Sequence, residues 1–141
     1  MKKTLTLFAL VALLFSCSPD DNMPNYHLET LPIEAVVSIP EELTMGEEHE
    51  IVLKYRRPTT CYGFNNFYYD KELNVRTVAI NTFVQEDNSC VSLADQALED
   101  LPEVTLKFLP TSNGTYIFKF WTGKDDQGEN TFIEYEIPVT E

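Results

Sequence analysis

The sequence predicts an all-β fold, one domain built as an antiparallel β-sandwich of about seven or eight strands. Three observations predict it. From Ile33 onward apolar residues recur with a period of two rather than 3.6, which puts alternate side chains on opposite faces of a strand. Proline, or a cluster of Gly, Asn, Asp and Ser, ends nearly every such run. Two cysteines inside the domain, Cys61 and Cys90, are spaced to staple it.

The elements follow in order. Ile33, Ala35, Val37 and Ile39 alternate with Glu34 and Ser38 until Pro40 stops the first strand. Ile51, Leu53 and Tyr55 alternate with Glu50, Lys54 and Arg56, and Pro58 ends the second. Cys61 to Tyr69 is rich in aromatics, and the polar stretch Asp70 to Asn74 turns it into Val75 to Val84. In that run Val78, Ile80 and Val84 point one way and Ala79 and Phe83 the other, so the two runs read as a hairpin. Folded about Glu72, the hairpin places Phe83 opposite Cys61. A Cys61–Cys90 bond then clips its open end to the loop that follows.

The stretch from Ser92 to Leu101 reads two ways. Ser92 with Asp95 fits the start of a short helix carrying Leu93, Ala97, Leu98 and Leu101, and an irregular crossover fits equally. Val104, Leu106 and Phe108 alternate with Thr105 and Lys107 up to Pro110. A Ser112-Asn113-Gly114 turn leads to Tyr116, Phe118 and Phe120, which alternate with Lys119. After the polar loop Gly123 to Asn130, the residues Ile133, Tyr135, Ile137 and Val139 alternate with Glu134 and Glu136.

The start of the chain is an address. Lys2 and Lys3 precede an apolar run, Leu5 to Phe15, that is too short for the roughly 20 apolar residues of a membrane span. Its ending, Leu14-Phe15-Ser16-Cys17, resembles the lipobox of bacterial lipoproteins. That resemblance implies cleavage before Cys17 and acylation of the cysteine with two or three chains, enough for stable anchoring. Ser18 in place of an aspartate implies the outer membrane, and Asp20-Asp21 resembles surface-export signals. Either face of that membrane remains open. The domain expectation is therefore a signal peptide over 1–16, the acylated cysteine and a flexible tether over 17–30, and the sandwich over 31–141. The polar, Pro- and Asn-containing tether spans roughly 20 Å root-mean-square.

Charge narrows the partners. Lys2 and Lys3 leave with the signal and all 23 acidic residues stay, so eight basic residues face 23 acidic ones, a net charge of −15. Nucleic acid as partner calls for a positive patch, and the only basic pair is Arg56-Arg57. With Cys17 acylated, Cys61 and Cys90 are left to pair in an oxidising compartment, closing a loop of about thirty residues for roughly 3–4 kcal/mol. A metal site would want more ligands than the distant His27 and His49 supply.

Seven or eight short strands in about 110 residues resemble an immunoglobulin-like sandwich. The segment Asn113-Gly114-Thr115-Tyr116-Ile117-Phe118-Lys119-Phe120-Trp121 resembles the penultimate strand of such domains, where Gly-x-Tyr forms a tyrosine corner. The C-terminal half is also similar to small bacterial lipoproteins of unassigned function. It departs from antibody domains, because Trp121 follows both cysteines and Cys90 falls in a loop.

Enzyme signatures are missing: no Gly-x-Ser-x-Gly elbow, no His-Glu-x-x-His and no phosphate-cradling glycine loop. The expectation is a non-enzyme with no cofactor. Oxygen ligands gather in one loop, at Asp125, Asp126 and Glu129, but without the spacing of a calcium loop, so no metal is expected. Consecutive aromatics at Tyr62, Phe64, Phe67, Tyr68 and Tyr69 must face both ways, leaving one set for solvent or a partner. Tyr62, Phe67, Tyr69 and Trp121 are the candidate ligand contacts. The expected role is a binding or adhesion module for a glycan or protein. The rivals are an accessory subunit of an envelope complex and an inhibitor of an incoming hydrolase.

Overall fold

A computed structural model describes residues 25–85 and 89–141. The signal segment 1–16, Cys17 and the tether residues 18–24 lie outside the described residues. Among the described residues the chain forms nine strands. They are β1 (Tyr26–Leu31), β2 (Ile33–Ser38), β3 (Leu43–Thr44), β4 (His49–Tyr55), β5 (Tyr62–Glu72), β6 (Val75–Gln85), β7 (Glu103–Phe108), β8 (Thr115–Lys124) and β9 (Asn130–Thr140).

Two sheets pack into an all-β sandwich. The small sheet has the order β2-β4-β7 and is antiparallel throughout. The large sheet has six strands. Its spine is the β5–β6 hairpin. On the far side of β6, β1 pairs antiparallel with Ile80–Gln85, and β8 pairs parallel with Val75–Val78. β9 then pairs with β8, and the two-residue β3 runs parallel to β9 at the far edge. The sandwich class is as expected, with the addition of two short parallel ladders.

The core is the meeting of the two inner faces. Val78, Ile80, Tyr116, Phe118, Phe120 and Ile137 come from the large sheet, and Ile33, Ile51, Leu53, Tyr55, Leu106 and Phe108 from the small one. Phe108 joins the layers, edge-on to Tyr116 and Phe118 with centroids 4.9 and 5.0 Å away, the offset that aromatic quadrupoles favour. At one end the Arg76 guanidinium lies 4.8 Å over the Tyr116 ring and donates to the carbonyls of Leu73 and Val75. Its buried donors are thus satisfied.

Three sequence expectations are corrected. The stretch 26–30 is not tether but most of β1, which pairs with β6 from Tyr26–Gln85 to Leu31–Ile80. In β2, register shifts after Ile33 and after Val36 break the simple alternation, so Val37 is half exposed. The hairpin turns at Leu73-Asn74 rather than Glu72, and Gln85 rather than Phe83 meets Cys61.

The ambiguous 92–101 stretch is a crossover with a single 3-10 turn, Leu98–Asp100. Basic residues at and just beyond the end of β4 hold it. Lys54 Nζ donates to the carbonyls of Leu98 and Glu99, and Arg56 Nη1 to those of Ala94 and Gln96. The basic residue Arg56 therefore serves the fold. Two further clips fix the ends of the sandwich. Cys61 and Cys90 form a disulfide with Cα atoms 5.5 Å apart, beside hydrogen bonds between the backbones of Thr60 and Val91 and of Leu93 and Pro58. The Tyr116 hydroxyl accepts from the backbone N–H groups of Thr111 and Ser112 at 3.1 and 3.2 Å, tying β8 to the turn before it. Burial raises the pKa of that phenol, but the hydrogen bonds from Ser112 and Thr111 outweigh it and leave the pKa below the ordinary value.

Candidate functional site: the outer face of the large sheet

Residues paired directly across strands share a face, so the registers give the outer face of the large sheet row by row. Leu28, Phe83 and Gly63 form one row across β1, β6 and β5. Thr30, Asn81 and Asn66 form the next, joined by side-chain hydrogen bonds of 2.8 and 2.9 Å. Tyr68 and Ala79 come next, and one residue beyond the Val78–Phe120 pair Trp121 continues the row, followed by its partner Phe132 on β9. Asp70, Thr77, Lys119 and Glu134 form the row after that.

The third of these rows is the unusual one. An aromatic, an alanine and two aromatics lie across four strands, and the small Ala79 side chain makes a shallow depression between the rings. Thr30, Tyr68, Thr77, Ala79, Trp121, Asn130 and Phe132 line it, enclosing about 320 Å³. Trp121 Nε1 donates to Asn130 Oδ1 at 3.0 Å. The indole is donor-only, so this bond fixes the amide with its NH₂ turned away from the ring. Beside the row, Lys119 Nζ sits 4.7 Å over the Phe132 ring and 3.0 Å from Glu134.

A second apolar spot lies at the β1 end of the same face, where Tyr26, Leu28 and Phe83 are exposed beside Asn65 and Gln85. The far end of the Phe83 ring rests on Gly63. A Cβ on residue 63 would collide with Phe83 Cζ, so only glycine lets the ring keep that position.

The structure separates the four residues expected to contact ligand. Tyr62, Phe67 and Tyr69 pair with Val84, Ile80 and Val78, on the inner face, whereas Trp121 is on the outer one. A register shift between Phe64 and Asn66 is the cause, because the extra residue returns Phe67 and Tyr69 to the side that Tyr62 and Phe64 occupy. Tyr62 donates to Glu29 Oε2 at 2.7 Å, and that carboxylate, with burial, holds its hydroxyl pKa up to about 12. Tyr69 stands at the open seam between β5 and β7, its pKa raised by burial and opposed by Arg76. Tyr68 and Phe132 are the residues that belong with Trp121.

The acidic loop is a structural turn. Asp125 Oδ1 accepts the backbone N–H groups of Gln127 and Glu129, both at 2.9 Å, which closes the β8–β9 hairpin. Among the described residues no three His, Cys, Asp or Glu side chains gather in a way that could hold a metal ion. His49 Nε2 accepts the Thr44 backbone N–H at 2.9 Å.

The fold and this face define a disulfide-stapled all-β sandwich with an aromatic row across one sheet. No known family model, curated protein or solved structure matches the chain.

Proposed function

We propose that the chain is a non-enzymatic binding or adhesion module, held at the outer membrane by lipid on Cys17, that takes a glycan or a protein on the outer face of its large sheet. The observation that carries this is the row Tyr68–Ala79–Trp121–Phe132, a partly exposed aromatic surface bordered by hydroxyl and amide groups and covered by no other layer among the described residues. An aromatic depression with a few oriented polar groups is the ordinary form of a binding site. The Leu14-to-Cys17 motif supports the anchor. The Tyr116 clip and the two-sheet packing support an immunoglobulin-like domain.

A second reading, an accessory subunit of an envelope complex, is favoured by one feature. β5 is an eleven-residue strand paired only to β6, so its other edge is open among the described residues. A register shift at Asn65 and the charges of Asp70, Lys71 and Glu72 guard that edge, which is how natural sheets avoid adding strands.

Two measurements test the proposal. Cys17→Ala moves the protein from the membrane fraction to the soluble fraction; retention in the membrane rejects the lipid anchor. Capture from native envelopes with the mature protein, beside an array of glycans, separates the readings. Binding that is lost in Tyr68→Ala fits the module. A stoichiometric envelope complex that persists in that variant rejects it in favour of the subunit.

A further inference from the structure

The depression on the outer face has a composition that limits its ligand. None of the seven lining residues carries a charge. An anion entering it would find no cation in the lining itself, and Lys119 in the adjoining row is already paired with Glu134 and stacked on Phe132. It would also meet Asp70 and Glu134 in the adjoining row. A cation would find no carboxylate in the lining itself, and an unpaired charge against aromatic walls is costly.

A purely apolar partner fits no better. The hydroxyls of Tyr68 and Thr77 and the Asn130 NH₂ have no partner among the described residues, so an apolar side chain pressed onto the row would strip them of water and give nothing back. The ligand that satisfies both demands has apolar C–H faces to lie on rings and hydroxyls around its rim. Sugar rings have this form.

The geometry also sets an orientation. Tyr68, Ala79, Trp121 and Phe132 sit on four adjacent strands, and at about 4.8 Å per strand the row is roughly 14 Å long, close to the length of two or three pyranose rings. The polar rows Thr30–Asn81–Asn66 and Asp70–Thr77 flank it on both sides. We infer that the row binds an uncharged, linear oligosaccharide of two or three rings laid across the strands, its rings on Tyr68, Trp121 and Phe132 and its hydroxyls toward Thr77 and Asn130. This rests on the binding-module reading and narrows it to one ligand class.

Trp121 is the only tryptophan in the sequence, so its emission reports on this site alone. The test titrates the mature protein, in detergent, with neutral glucan, xylan and mannan oligosaccharides, with oligogalacturonate, with chitosan oligomers and with oligolysine. Expected are a shift of Trp121 emission with at least one neutral series and affinity that rises up to the trisaccharide and then levels off. No response to oligogalacturonate is expected. Tyr68→Ala, half exposed and so safe for folding, lowers that affinity at least tenfold by calorimetry. Neutral binding unchanged in Tyr68→Ala overturns the site, and no neutral binding at all overturns the ligand class. Chitosan or oligolysine binding that depends on Tyr68 overturns the uncharged ligand while leaving the binding-module reading standing. If neither a glycan nor an envelope protein binds through Tyr68, both fall.

Discussion

Tyr116, Phe118 and Phe120 on the inner face of the large sheet are fully buried, whereas on its outer face Tyr68 and Phe83 are 47% and 43% exposed. The sheet is shared and the residue types are the same. What differs is the layer opposite: the inner aromatics meet the small sheet, and among the described residues no second layer covers the outer ones. Aromatic content alone therefore does not mark a site. An aromatic row that strand register assembles and that no layer covers among the described residues is the better candidate, and the two faces should answer mutation in opposite ways.

The largest difference comes from the inner face. Phe118→Ala removes a fully buried ring that packs edge-on to Phe108, and should cost about 3–5 kcal/mol in urea unfolding. A loss under about 1 kcal/mol would mean that the two layers are not packed as described. Next in size is Tyr116→Phe, which keeps the ring and removes the acceptor for the Thr111 and Ser112 N–H groups together with the hydrogen bond to Ser112 Oγ. About 1–3 kcal/mol is expected from leaving those donors unpaired, with the fold intact by circular dichroism.

Smaller still is Tyr62→Phe, at about 0.5–1 kcal/mol near neutral pH because the Glu29 contact is only partly buried. Its pH dependence is the sharper signature. The hydroxyl pKa is raised in the fold to about 12 from an ordinary value of 10, so the contact's contribution is full below pH 10 and fades as pH climbs toward 12. Stability curves of wild type and variant should converge over that window. Parallel curves would show that Tyr62 does not donate to Glu29.

Much of the inner face is legible in the sequence. Ile51, Leu53 and Tyr55, or Tyr116, Phe118 and Phe120, alternate with polar residues and point inward as alternation demands. The Cys61–Cys90 pair is legible from the cysteine count and the compartment the sequence leads one to expect, and the Tyr116 clip from Gly-x-Tyr. The outer face is harder to read for physical reasons. In β1 the period inverts, since Tyr26 and Leu28 face out while His27 and Glu29 face in with Leu31. That strand therefore resembles a polar tether ended by Pro32. In β5 one extra residue near Asn65 decides that Tyr68 faces out and Phe67 and Tyr69 face in, and no composition signal marks it. Trp121 reaches Tyr68 only through the short parallel pairing of β8 with β6, two strands that lie some forty residues apart. Local alternation carries no information about such a pair.

The most direct test of the contrast between the faces measures stability and ligand affinity on one variant, Tyr68→Ala. The account predicts an unfolding free energy in urea within about 1 kcal/mol of wild type and at least a tenfold loss of neutral-oligosaccharide affinity. A stability loss approaching that of Phe118→Ala, with the affinity unchanged, would contradict it.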